Sequence, residues 1–400
     1  MTNTINNFEF APMPHIHFGW GIRQQLIENL QQAKHQKIVL ISGKTLAQPG
    51  EFADLLYQAI KPHSHIKHFT VSGEPSPDIV DEITQQCDAD TNIVIGLGGG
   101  SVLDAAKAIA GLIPSQTSVM DYLEGVGKGK PFHVETCPFI AVPTTAGTGS
   151  ETTKNAVLSR IGHFKKSFRD NKLLAKEAWL DPELLKSCPK EVLYSTGMDA
   201  FTQLLESYTT LKPNPITDAL AWQGMTLFKG AFEDIDSDDL QRQKSGFCNL
   251  MLAASLSGTT LANAGLGAVH GLAGPIGAFF HAPHGIVCAR LLAPITQANI
   301  ECLQEENNDH ASQNLKKYQQ VLHMLNPKIK PELSPKEQLA ELIKLLQDYA
   351  VRYTPQGLGK YGLNETNITP IMQNCRSGSM LGNSVTLSDT QLTDAIKQAL

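Results

Sequence analysis

The stretch NIVIGLGGGSVLDAAKAIA, residues 92–110, starts as a strand and finishes as a helix. Its first half is a continuous apolar run rich in β-branched residues, the pattern of a strand buried on both faces. Gly98, Gly99 and Gly100 interrupt it, and SVLDAAKAIAGL (101–112) then carries helical spacing. A buried strand turning through glycines into a helix is half of a βαβ unit. The surrounding chain repeats the design. KIVLIS (37–42), HIKHFTV (65–71) and PFIAVPTTAGTGS (138–150) read as strands, the last running into its own small-residue loop, and EFADLLYQAI (51–60) reads as a helix. The alternation predicts an α/β N-terminal domain with a mostly parallel, Rossmann-like sheet covered on both faces.

Past about residue 185 the strand-like runs stop. STGMDAFTQLLESY (195–208), TDALAWQGMTLFKGAF (217–232) and QRQKSGFCNLMLAASLSGTTLANA (241–264) read as helices. SPKEQLAELIKLLQDYA (334–350) opens with Ser334 at the N-cap, Pro335 behind it and Glu337 completing a capping box. SDTQLTDAIKQAL (388–400) opens the same way with Ser388 and Gln391. The charged segment 302–315 reads as a solvated surface connection. Two domains are expected: residues 1–185, binding a dinucleotide, and an all-α domain of residues 186–400, binding metal and substrate. No internal repeat is evident.

Composition narrows the function. The net charge of −6 gives no electrostatic reason to expect nucleic acid or an anionic membrane as partner. The seven cysteines, Cys87, Cys137, Cys188, Cys248, Cys288, Cys302 and Cys375, are scattered, odd in number and without a CxxC pair. That argues against a disulfide framework and against a thiolate zinc site, and it fits a reducing cytoplasm. The opening MTNTINNFEF lacks the basic and apolar regions of a secretory signal.

One region is unusual. No Asp, Glu, Lys or Arg occurs from Ser245 to Ala289, yet VHGLAGPIGAFFHAPHG (269–285) holds His270, His281 and His284. The histidines read as core residues, as part of a membrane segment, or as metal ligands. Asn249, Asn263, Pro275, Pro283 and many glycines interrupt the run, and its apolar stretches fall short of the roughly 20 residues that span a bilayer. A helix buried in a soluble core is preferred. His63, His65 and His68, among lysines near a strand start, read as exposed surface by contrast.

GLGGGSVLDAAKAIA suits a pyrophosphate. Its glycines let backbone N–H groups approach closely, and the helix N-terminus favours negative charge. A tight turn is the plainer reading. PTTAGTGSETTKNAV (143–157) offers hydroxyls at Thr144, Thr145, Thr148 and Ser150, and two such loops at adjacent strand ends make a better nucleotide site than either alone. After KIVLIS comes Gly43 and then Lys44, where NAD-preferring folds place an acidic residue. The cofactor is therefore expected to be NAD(P), leaning to NADP or to use of both.

In GMDAFTQLLESY, Asp199 and Gln203 share one helix face, while Met198, Phe201, Leu205 and Tyr208 look like core. A helix-stabilising Asp–Gln pair is one reading. With His270 and His284, two imidazoles and a carboxylate form the donor set of a catalytic divalent ion. Hydrogen-bonded core histidines are the other.

These motifs together resemble the iron-containing (group III) alcohol dehydrogenase family over nearly the whole chain. HFGWG (17–21), GGGSVLDAAKAIA and above all PTTAGTGSE (143–151) are similar to its first domain. GMDAFTQLLESY and GAVHGLAGPIGAFFHAPHG (267–285) are similar to its metal-ligand segments. The resemblance implies a dehydroquinate synthase-like architecture, with a cleft between the α/β and helical domains. It implies reversible hydride transfer between a small alcohol and NAD(P), with Fe²⁺ or Zn²⁺ as Lewis acid. Asp199, Gln203, His270 and His284 fall at the ligand places. Gly98, Gly99, Gly100, Ser101, Asp104, Thr144, Thr145, Thr148 and Lys166 fall where the cofactor is held, with Gly43 and Ser76 assigned there too. A homodimer or higher homo-oligomer is expected.

The chain departs from the family pattern twice. Gln203 stands where a histidine ligand is usual, and Gly274 where alcohol-reducing members often carry a histidine near the substrate. His281 is the catalytic candidate in its stead. Gln203 keeps a metal-free reductase resembling maleylacetate reductases in play, beside a dehydroquinate-synthase-like lyase and a non-catalytic nucleotide-binding protein.

Overall fold

The computed structural model describes residues 7–32 and 37–400. The polar start MTNTIN lies outside them. The N-terminal half supplies β1 (His15–Phe18), α1 (Arg23–Gln32), β2 (Lys37–Gly43), α2 (Phe52–Ile60), β3 (His65–Val71), α3 (Pro77–Gln86), β4 (Ile93–Gly98), α4 (Gly100–Leu112), β5 (Phe139–Pro143), β6 (Asn155–Arg160), β7 (Phe164–Arg169) and β8 (Glu177–Leu180). Six strands form one sheet in the order β1-β8-β5-β4-β2-β3. Every pairing in it is parallel. The antiparallel β6–β7 pair stands apart from the sheet.

Both sheet faces are covered. Val39, Ile41, Val94, Phe139 and Ala141 pack into one core with α3 and α4. Ile38, Leu40, Ile93, Ile95, Ile140 and Val142 pack into another with α1 and α2. That is why IVIGL shows no polar alternation: each side chain direction meets a covering layer. The sequence pattern did not anticipate β1, β6, β7 and β8. β1 and β8 are only four residues long, and β7 (FKKSFR) carries three cations.

From β2 the chain passes to β3 on one side, while β4 pairs with β2 on the other. The topological switch therefore lies between β2 and β4, and ligands of such sheets bind at the carboxyl ends there. Gly43 ends β2 and Gly98 ends β4 at that edge, beside Pro143 at the end of β5.

The remaining chain is helical, with no strand after Leu180 among the described residues. It comprises α5 (Lys190–Tyr208), α6 (Pro215–Phe228), α7 (Ala231–Ile235), α8 (Leu240–Ala264), α9 (Ala268–Phe280), α10 (His284–Glu305), α11 (Asp309–Leu325), α12 (Pro335–Tyr353), α13 (Thr369–Asn374) and α14 (Asp389–Gln398). Both expected capping boxes form, Ser334 with Glu337 and Ser388 with Gln391. The single helix expected over 217–232 is two, because Gly230 turns left-handed (φ 74°) between α6 and α7. The connection expected over 302–315 is mostly helix. α10 runs to Glu305, and Asn308 already caps α11 by accepting from Ala311 N at 2.8 Å.

α10 is long and apolar enough to cross a membrane, yet 72% of its apolar window is buried inside the protein. Val287, Cys288, Leu291 and Leu292 belong to the helical core. Packing within the helical half thus accounts for the missing charge.

Candidate metal and cofactor site

Three helices bring the two histidines of the charge-free region together with an aspartate from outside it. α5 carries Asp199, α9 carries His270, and α10 begins at His284. His281, in the left-handed conformation (φ 53°), ends α9, and Pro283 precedes α10. A Cβ on Gly285 would stand 2.6 Å from the Ser195 carbonyl carbon, so only glycine lets α10 press against α5 one turn before Asp199. Asp199 Oδ1 lies 3.1 Å from His270 Nε2 and 3.8 Å from His284 Nε2. A fourth donor joins them. Cys288 Sγ lies 3.6 Å from His270 Nε2 and 3.7 Å from His284 Nε2. All four donor atoms fall within 4.8 Å of one another.

Glu206 fixes one imidazole. Its Oε2 lies 2.6 Å from His270 Nδ1, and its Oε1 accepts from Val269 N at 2.7 Å. The Nδ1 proton is thereby held, and Nε2 faces the cluster, as in carboxylate–histidine–metal triads. His284 is different: its Nδ1 is buried and meets no hydrogen-bond partner. A buried ring nitrogen with no hydrogen bond is costly, and the ring's Nε2 faces Asp199 and Cys288.

The charges fit the same picture. Burial disfavours ionised Asp199, but His284 and His270 outweigh it and hold the carboxylate down to about 2. Burial would lower the His270 pKa, yet Cys288, Glu206 and Asp199 raise it well above 6.5. Burial lowers His284 to about 4. Burial pushes the Cys288 thiol up to about 12.

The two glycine and hydroxyl loops meet at the switch point. α4 starts at Gly100 with Gly99 as an N-cap that makes no side-chain cap, so its first N–H groups are open to an anion. A Cβ on Gly99 would lie 3.2 Å from Thr145 Oγ1, and one on Gly100 would lie 2.6 Å from Thr148 Oγ1. Thr144 N donates to Gly98 O at 3.0 Å. The glycines therefore serve loop–loop contact as well as ligand approach.

Comparison with known proteins identifies the family. Residues 13–182 match the family described as iron-containing alcohol dehydrogenase, and residues 193–400 match its C-terminal domain. The chain belongs to the iron-containing alcohol dehydrogenase family. It is 32% identical over 292 residues to long-chain-alcohol dehydrogenase 1 of Geobacillus thermodenitrificans, covering 72% of each chain. An alcohol dehydrogenase from Oenococcus oeni superposes with a TM-score of 0.85 at 24% identity, over 98% of this chain and 100% of that one. A sulfoacetaldehyde reductase from Bifidobacterium kashiwanohense, solved with NAD⁺, gives 0.81 at 23% identity over 98% of each. The chain is accordingly an oxidoreductase of the alcohol dehydrogenase type.

Several of the expected residues make contacts of their own within the protein. Ser257 Oγ on α8 donates to Gln203 Oε1 at 2.8 Å, so the expected fourth ligand has its oxygen engaged by a neighbouring helix. Asp104 is a fastener: its Oδ1 accepts from Ser150 Oγ at 2.5 Å and its Oδ2 from Val157 N at 3.0 Å. Lys107 does the same from inside, donating to Ser150 O, Thr153 Oγ1 and Asn155 O. Together they pin the hydroxyl loop to α4. His281 is an exposed helix terminator outside the cluster.

On β7, Lys165 stands next to the expected Lys166 and faces the other way. It pairs with Glu74, and its Nζ would lie 3.8 Å from a Cβ on Gly277 of α9. Burial opposes ionisation of Glu74, but Lys165 holds it below the usual carboxylate range. Ser76 caps α3 by accepting from Ile79 N at 3.2 Å, which leaves its own proton to donate. Gly43 and Ser101 stay at the sheet edge and the first turn of α4.

Two residues had sequence signals that went unread. Glu206 lies seven positions after Asp199 and three after Gln203, on the same helix face. Cys288 follows His284 by four, one helical turn. A thiol therefore enters the cluster without any CxxC pair. Of the three surface histidines, His63 and His65 are exposed, but His68 is half-buried with Nε2 2.8 Å from Ser42 Oγ.

Proposed function

We propose that this chain passes hydride between a small alcohol, or the matching aldehyde or ketone, and NAD(P), with Fe²⁺ or Zn²⁺ held by Asp199, His270 and His284. The observation that carries the reading is the convergence of those donors, whose ligand atoms, with that of Cys288, lie within 4.8 Å of one another. One carboxylate and two imidazoles suit either ion. When bound, the ion supplies Lewis-acid chemistry at the substrate oxygen, and the nicotinamide supplies the hydride chemistry.

The chain's own residues do the rest. Glu206 keeps the proton on His270 Nδ1 and aims Nε2 at the ligand position. His284 is about a quarter exposed, unlike Asp199 and His270, and so marks the side on which a substrate reaches the centre. Apolar residues of α9 and α10 exclude water, which strengthens electrostatic contacts there. Gly98–Gly100, Ser101, Thr144, Thr145 and Thr148 would hold the pyrophosphate at the N-terminus of α4. Exposed Lys44, after β2, supports NADP or dual use. Gly274 leaves space near His270, since a Cβ there meets nothing within 4 Å. Residues 1–185 and 186–400 act as the cofactor and metal domains, and the reading includes a cytoplasmic homodimer or higher homo-oligomer.

The test is an anaerobic screen of NADPH and NADH oxidation over small aldehydes and ketones, with Fe²⁺ or Zn²⁺ supplied. Turnover on at least one carbonyl is expected. Cofactor binding without turnover on any would overturn the reading.

A further inference from the structure

The metal reading leaves a fourth position to fill. Gln203 is a neutral amide whose oxygen accepts from Ser257. Cys288 is fully buried, and it follows His284 by one turn of α10, so both side chains leave the same face. Its Sγ is 3.6 and 3.7 Å from the two Nε2 atoms. These lengths are ordinary for a thiol hydrogen bond, and they also match another geometry. A tetrahedral zinc with Zn–S about 2.3 Å and Zn–N about 2.0–2.1 Å has N···S edges of about 3.5 Å. The 3.1 and 3.8 Å separations of Asp199 Oδ1 from the two rings bracket the corresponding N···O edge of about 3.4 Å. Among the described residues, no other cysteine joins a cluster of this kind.

Resting on the metal reading above, we propose that Cys288 is the fourth metal ligand, in place of Gln203, giving an Asp199–His270–His284–Cys288 centre. Coordination releases the thiol proton to solvent and leaves a thiolate on the ion. Two anionic ligands then balance the dication, where an amide would leave a net positive charge. A soft sulfur donor also suits zinc better than a set of hard oxygen and imidazole donors does. A substrate oxygen would then have to bind as a fifth donor, an expansion that zinc sites reach in the transition state.

The experiment is cobalt(II) titration of metal-free full-length protein, read by absorption. Uptake of one Co²⁺ per chain with a near-ultraviolet sulfur-to-cobalt charge-transfer band is expected. Cys288→Ser should lose that band while still binding Co²⁺, and Gln203→Ala should retain it. Co²⁺ bound at one per chain without the band, or a band that survives in Cys288→Ser, overturns the thiolate ligand and leaves the metal reading standing. Failure to bind Co²⁺ at all overturns both. X-ray absorption of the zinc-loaded wild-type chain needs no variant to fold. It should show one sulfur scatterer at about 2.3 Å, and a shell of nitrogen and oxygen alone contradicts the proposal.

Discussion

Glu206 Oε2 lies 2.6 Å from His270 Nδ1, and that contact decides which imidazole nitrogen faces Asp199. Glu206 also accepts from Val269 N through its other oxygen. Glutamine can satisfy only one of these donors, since its NH₂ would face the second. Glu206→Gln should therefore weaken metal affinity by about 10–100-fold, with the circular dichroism spectrum unchanged. Affinity equal to wild type in a competition titration with a chromophoric chelator would show that His270 is oriented by something else.

The approach of the two cofactor loops is set by missing side-chain atoms. A Cβ at Gly100 would meet Thr148 Oγ1 at 2.6 Å and Cγ2 at 2.7 Å. Gly100→Ala should push the loops apart and raise the Kd for NADH at least about tenfold, or ~1.4 kcal/mol. Adding Thr148→Ala should recover part of the loss. Fluorescence titration of NADH decides it; unchanged affinity in Gly100→Ala would remove the loop contact from the account of cofactor binding.

Gly274 behaves in the opposite way. It lies four residues after His270 within α9, and a Cβ there meets nothing within 4 Å. Gly274→Ala should stabilise the helix by about 0.5–1 kcal/mol. Gly274→His should cut kcat/KM for bulky aldehydes more than for small ones. Equal losses across an aldehyde size series would place the residue away from the substrate.

His68 yields a pH prediction. Burial holds its pKa below the ordinary 6.5, only partly offset by Asp54. As pH falls through 6.5 the unfolded chain takes up a proton that the folded chain resists. The unfolded state then binds more protons, so stability decreases toward acid. Between pH 7 and pH 5 the urea midpoint should fall less steeply in His68→Gln than in wild type. Parallel slopes would mean that His68 does not contribute.

The sequence made the sheet legible wherever burial on both faces wrote a continuous apolar run, as in β2, β4 and β5. It hid β1 and β8, too short for a period to register, and β7, whose cations mask its alternation. His270 and His284 stood out because polar groups in a charge-free stretch need partners, and Asp199 because it shares a helix face with Gln203. Glu206 and Cys288 required the same helical arithmetic carried one turn further. Asp104 falls at the cofactor by the family resemblance alone. Its partners, Ser150 and Val157 N, lie some fifty residues away and were not readable from local pattern.

The central claim is that a divalent ion at Asp199, His270 and His284 supports carbonyl reduction by NAD(P)H. Its most direct measurement is turnover on an aldehyde accepted in the screen, using protein stripped of metal and then reloaded anaerobically with one equivalent of Zn²⁺ or Fe²⁺. The account predicts negligible turnover when stripped, recovery on reloading, and no recovery in Asp199→Ala. Full turnover in stripped protein, or recovery in Asp199→Ala, would contradict it.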